Sequence, residues 1–260
     1  MVDAEERVYQ RGIKLNLFTS LDWTVVGHKD ELVSGGALPF GAANVFFHIV
    51  LAWHKKKYNR ETGPKNWKDF LEFPGKRATR NEAYETVEFA LLGDGVPKEK
   101  LYPLDVERAL KRLTPVKKNI IFWANTKMSI DLLTSSEVDF GAVAGGPVQK
   151  TIETGEPIDF TWNQALVGND FLIIPKGSKQ VEASMKFISH CMDPEVQGAF
   201  SSNYYMGPSN LKAFNFMPKG REDLLCTGPK VQPLTVKKDA MFWAENEEIV
   251  AKRFEQWMTS

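Results

Sequence analysis

The run Asn44–Trp53, NVFFHIVLAW, constrains this chain more than any other stretch. A nearly unbroken apolar run with no alternation suits a strand buried on both faces, inside a sheet that helices cover on each side. Such a strand needs neighbours along both edges. Upstream of it no other convincing strand is visible, since Asp3–Gly12 reads as a short helix ending at a glycine, so the run is expected to lack part of its sheet.

Downstream, Glu137–Lys176 offers three short β-branched or aromatic runs, Val138–Val143, Asp159–Trp162 and Phe171–Ile174. Gly145-Gly146, Gly155, Pro157 and Gly168 punctuate them, and each run is too short for a helix. Asp170 stands just before the last run, where a charge would sit at a change of direction. Lys76–Arg80 and Asn119–Trp123 read as further strands. Helices are expected at Asn66–Phe70, Asn81–Leu92, Asp105–Leu113, Gln180–Met192 and Asn246–Met258, several with apolar residues at helical spacing. Strands alternating with helices predict an α/β architecture.

Charge narrows the function classes. Lys plus Arg total 33 and Asp plus Glu total 33, so no bulk field recruits nucleic acid or an anionic membrane. Cys191 and Cys226 are too few and too isolated for a zinc site, and nothing implies a cofactor or metal. The opening MVDAEERVYQRG has no apolar core and is not a signal peptide. No GxSxG, HExxH, P-loop or GxGxxG motif occurs, and the four histidines have no nucleophile beside them, so an enzyme is not expected. Carboxylates and aromatics near strand ends suit recognition of an amine by ion pairing and cation–π contact.

Several segments in consistent order carry a resemblance: NWKDF…FPGKRATRNEAYETVEFALLGDG (Asn66–Gly95), KLYPLDVERAL (Lys100–Leu110), EVDFGAV (Glu137–Val143), DFLIIPKGS (Asp170–Ser178) and YMGPSNLKAF (Tyr205–Phe214). They resemble the spermidine/putrescine-binding family, extracytoplasmic solute-binding components of ABC importers. The resemblance implies the two-lobed type II periplasmic binding protein fold, with ligand held between lobes and ABC permease subunits as partners. It implies a periplasmic or extracytoplasmic location and a monomer if complete. Lobe one would comprise residues 1–50 and 170–206, and lobe two residues 51–169 and 207–260. The family's first strands and helices precede the point where this chain starts, so lobe one is expected to be incomplete.

By the same resemblance, Glu82 and Glu85 match the paired carboxylates facing one amine. Asp170 matches the cleft aspartate, and Thr126 stands where a hydroxyl is expected. Ala144, Gly168 and Met206 replace the aromatic cage, leaving Trp123 and Tyr205 either to refill it or to serve as core. The expected ligand is a polyamine or a related small amino compound. The alternatives are an amino acid such as a γ-amino acid, which needs a basic residue not evident in the sequence, and a truncated relic acting as an interaction module without ligand.

Overall fold

The computed structural model describes residues 1–260. In chain order, β1 (Val2–Glu5) leads into α1 (Glu6–Lys14), α2 (Trp23–Val26), β2 (Ala37–Leu38) and β3 (Gly41–His54). Then follow α3 (Trp67–Glu72), β4 (Arg77–Arg80), α4 (Ala83–Gly93), α5 (Val106–Leu113), β5 (Ile120–Trp123) and α6 (Thr126–Thr134). The chain continues through β6 (Phe140–Ala144), α7 (Gly145–Glu153), β7 (Ile158–Ile173), α8 (Val181–Met192), α9 (Pro194–Tyr204) and β8 (Gly207–Pro208). It ends with β9 (Val236–Lys237) and α10 (Ala240–Thr259). Two compact units result: residues 1–47, 167–233 and 243–245 form the first, and 48–166, 234–242 and 246–260 the second.

In the first unit β7 lies between β1 and β3, and β2 and β8 add to β3. Strand alternation sends successive β7 side chains to opposite faces. Leu172 packs with Val26, Met185 and Ile188 under α8, while Phe171 and Ile173 pack with Tyr9 and Phe18 on the other face. Residues 207–233, assigned by the sequence to lobe two, belong instead to this unit. Gln197 explains why: its side chain donates to the Asn44 carbonyl (3.2 Å) and accepts from the amides of Ser209 (2.9 Å) and Asn210 (2.8 Å), holding β8 beside β3.

In the second unit β6 pairs antiparallel with β3 from Ile49↔Ala144 to Trp53↔Phe140, and β4 pairs in parallel with both β6 and β5. Val50, Ala78, Trp123, Leu133 and Val148 share one core. On the other side Trp67, Phe70, Phe89 and Phe140 interlock, with Trp67 and Phe89 stacked 4.9 Å apart and Phe70 edge-on to Phe89 and Phe140. Arg77, buried against Phe70 and Phe140, donates to the carbonyls of Phe70, Leu71, Phe73 and Gly75 at the end of α3. These bonds satisfy helix-terminal carbonyls that otherwise lack partners.

Three expectations change. The run Asn44–Trp53 is the body of β3, and it finds strands on both edges within this chain, β7 on one and β2, β6 and β8 on the other. The expected helix Asp3–Gly12 begins as a strand, because β1 pairs antiparallel with β7 from Val2↔Ile173 to Glu5↔Asp170, and the helix starts only at Glu6. The two runs around Gly168 are one strand. Glycine there is a packing requirement rather than a break: a Cβ would lie 2.3 Å from the Phe47 ring.

Candidate functional site

The carboxyl ends of β4, β5 and β6 lie at one edge of the second unit's sheet, each followed by a helix. In open α/β sheets this edge is where ligands bind, because helix amino termini and free loop backbone converge there. The β4 end carries Arg80, the β5 end Trp123, and the β6 end Ala144 and Gly145.

Inside the first turn of α4 the backbone departs from helical geometry at Tyr84 and Glu85, and Glu85 takes φ +77°. A non-glycine residue there is strained by its Cβ and persists only where surrounding contacts impose it. The imposing contact is Glu88, whose Oε2 accepts from the Glu85 amide at 2.9 Å and from Lys238 Nζ at 2.6 Å. Tyr102 donates its hydroxyl to the other Glu88 oxygen, and the Lys238 ammonium sits 3.4 Å from the centre of the Tyr84 ring. Glu88 has no exposed surface, so a charge that water cannot reach is compensated by one cation and several hydrogen bonds. The Glu85 carboxylate, itself buried, is thereby held at a fixed place.

Arg80 faces that carboxylate. Its guanidinium lies 5.6 Å above the Trp123 ring, 3.5 Å from the nearest Glu82 oxygen and 3.7 Å from the nearest Glu85 oxygen, and its buried Nε makes no hydrogen bond. Trp123 is core: it is 2% exposed and its indole donates to the Ala142 carbonyl at 3.2 Å. Its ring carries the Arg80 guanidinium rather than contacting solvent. Asn125 caps α6 by accepting from the Met128 amide at 2.9 Å, which leaves Thr126 exposed at the first helical position.

At the β6 end, Gly145-Gly146 open α7 instead of a loop, and Ala144 supplies no capping side chain. The buried His48 ring packs on Gly145, where a Cβ would lie 2.1 Å from the imidazole. His48 also meets the Trp162 ring at 4.7 Å and Gln149 Nε2 at 3.3 Å, while its Nδ1 and Gln149 Oε1 have no partner. Burial pushes the imidazole down to about 3, so it is neutral at ordinary pH.

The structure therefore brings Glu82, Glu85, Trp123 and Thr126 to the strand ends of the second unit. Asp170 and Tyr205 lie in the first unit. Asp170 stands opposite Glu5 across β1 and β7, and burial together with Asp3 and Glu5 raises its carboxyl to about 7. Tyr205 is buried at the left-handed end of α9, under the Arg221 guanidinium at 4.7 Å. Arg80, Glu88, Lys238 and His48 were missed. Arg80 had a local signal, a basic residue at a strand end two positions before Glu82. Lys238 had none, because its partner is 150 residues away. No group of three His, Cys, Asp or Glu side chains gathers to hold a metal.

Comparison with known proteins adds three findings. Residues 34–224 match the family described as bacterial extracellular solute-binding protein. The γ-aminobutyric acid (GABA)-binding protein of Pseudomonas aeruginosa is 30% identical, over 99% of this chain and 75% of that protein. Among solved structures, an ABC transporter substrate-binding protein from Bradyrhizobium japonicum is 31% identical, with a TM-score of 0.92 over 99% of this chain and 82% of that one. A GABA receptor is 28% identical, with a TM-score of 0.90 over 99% and 80% of the respective chains.

Proposed function

Because the chain belongs to the bacterial extracellular solute-binding protein family, we propose that it is the solute-binding component of an ABC importer and that its ligand is a small ω-amino acid of the GABA type. Permease subunits are then its partners and no reaction is performed. The observation carrying the ligand class is Arg80, a guanidinium stacked on Trp123 beside Glu82 and Glu85 but bonded at hydrogen-bond distance to neither. A guanidinium offers a planar fork that matches a carboxylate. Two carboxylates within a few ångströms suit an ammonium. One fixed cation beside two acids complements a zwitterion, whereas a linear polyamine brings only positive charge and meets Arg80 as a repulsive neighbour. The GABA-related names of the P. aeruginosa relative and of the solved receptor favour the same class.

The polyamine reading rests on the Glu82 and Glu85 pair, of which Glu85 is rigidly placed. Calorimetry on GABA, 5-aminopentanoate, putrescine and spermidine separates the two. GABA is expected to bind at least ~100-fold more tightly than putrescine, about 2.7 kcal/mol, and Arg80→Met is expected to weaken GABA by at least tenfold while narrowing that gap. Putrescine binding more tightly than GABA, or an unchanged GABA affinity in Arg80→Met, would overturn the assignment.

A further inference from the structure

Of the three charges at the strand ends of the second unit, two are held by buried structure. Arg80 ends β4 directly opposite Trp123 of β5 in parallel register, and the following amide, that of Asn81, donates to the Trp123 carbonyl at 3.1 Å. The guanidinium therefore rises from a clamped backbone and lies over a ring that is itself fixed by its bond to the Ala142 carbonyl.

Glu85 is held from beneath. At φ +77° and ψ −42° its backbone lies close to the rare, strained form of the γ-turn. Such a backbone persists only where its surroundings impose it, and here the Glu88 carboxylate accepts from the Glu85 amide while bonded to Lys238 and Tyr102. The Glu85 side chain is 4% exposed. That of Glu82 is 50% exposed, on extended backbone and without a capping bond, so it keeps rotamer freedom that Glu85 lacks.

We propose that Glu85, locked by Glu88, Lys238 and Tyr102, sets the length of ligand this site accepts, favouring ω-amino acids no longer than GABA. The proposal rests on the reading of Arg80, Glu82 and Glu85 as the ligand site. The Arg80 guanidinium and the Glu85 carboxylate are 3.7 Å apart at their nearest atoms, so a ligand meeting both carries its own two charges close together. A longer chain reaches both only by buckling, because neither anchor moves to follow it. Glu82, being adaptable, supplies charge to the ammonium without measuring the chain. Glu88, Lys238 and Tyr102 touch no ligand in this scheme and are positioning residues, the supporting shell that keeps a binding group in place.

Calorimetry on the full chain compares GABA with 5-aminopentanoate. The unaltered chain is expected to prefer GABA at least ~10-fold, the scale on which a rigid site discriminates one methylene. Glu85→Asp withdraws the carboxylate by one methylene and keeps its charge, so the preference is expected to fall at least ~10-fold, whereas Glu82→Asp is expected to move it no more than ~3-fold. The double variant Lys238→Met, Glu88→Leu frees the turn and is expected to bring the two ligands within ~3-fold of each other. Lys238→Met, Glu88→Gln keeps an oxygen for the Glu85 amide and is expected to restore the preference, which a general loss of stability would not do. Should the Glu88→Leu double variant fail to fold, the contrast between Glu85→Asp and Glu82→Asp decides. An unmoved preference in Glu85→Asp, an equal shift in Glu82→Asp, or a sharp preference in the Glu88→Leu double variant overturns the proposal. Equal binding of both ligands to the unaltered chain overturns it while leaving the site in place, and binding of neither removes the site reading as well.

Discussion

Replacing Lys238 by methionine removes a cation paired with Glu88 while keeping most of the side-chain volume. Glu88 has no exposed surface, and Lys238 donates to it at 2.6 Å across 150 residues of chain. The variant retains the Tyr102 and Glu85 bonds to that carboxylate but removes the Lys238 charge from it. Breaking a buried pair from one side costs about 3–5 kcal/mol, most of it the penalty of the charge left behind. With a urea slope of about 2 kcal/mol per M, the second unit's midpoint is expected to fall by roughly 1.5–2.5 M. Adding Glu88→Gln removes the stranded charge, so the double variant should recover at least half of the loss. Urea titration followed by hydrogen exchange at Ala83–Leu92 reads the second unit separately from the first. A Lys238→Met loss below about 1 kcal/mol, or additive effects of the two substitutions, would refute the claim that this pair pins the Glu85 turn.

Other outcomes follow from the same geometry. His48 is held near 3 while an unfolded histidine titrates near 6.5, so the unfolded chain binds the proton first and stability falls as pH drops from 6.5 towards 3. At pH 5 that penalty is on the order of 2 kcal/mol, and His48→Phe should flatten the acid limb of a urea-midpoint profile. Asp170 has the opposite sign. Its folded value of about 7 exceeds the ordinary 3.8, so the folded state is the better proton binder and stability declines as pH rises from about 4 to 7. Asp170→Asn should gain on the order of 1–2 kcal/mol over the unaltered chain at pH 8 and nothing at pH 4, measured by the same titration. Gly145→Ala places a methyl 2.1 Å from the His48 ring and should cost roughly 1–3 kcal/mol, read as a lowered melting temperature.

Periodicity made β3 to β6 and most helices legible, because each buries a face whose pattern is local. It failed where a local signal had two physical meanings. Gly168 reads as a break from sequence, yet Phe47, distant in the chain, is what excludes a side chain there. Gly145-Gly146 reads as a loop and opens α7 because His48 needs the space. β1 was hidden inside a helical pattern, since only its pairing with β7 makes it a strand. At the site, the paired acids were visible from resemblance, but their different fates were not, and Arg80 went unread despite its place at a strand end. Glu82 remains exposed while Glu85 is buried in a strained turn, and that difference is set by Glu88 and Lys238.

The division between buried anchors and exposed ends bears on how readily such a protein acquires a new ligand. Trp123, Glu85 and Glu88 belong to the packed interior, where most substitutions are strongly destabilising. Glu82 and Thr126 are exposed at the tips of the same strands, where substitutions ordinarily change stability by less than about 0.5 kcal/mol. A library confined to those tips and to Arg80 therefore samples new selectivities on an unaltered frame, and drift in nature has the same latitude. Changes of preference among close relatives should accumulate at the tips first, with the Glu88 and Lys238 pair persisting beneath them.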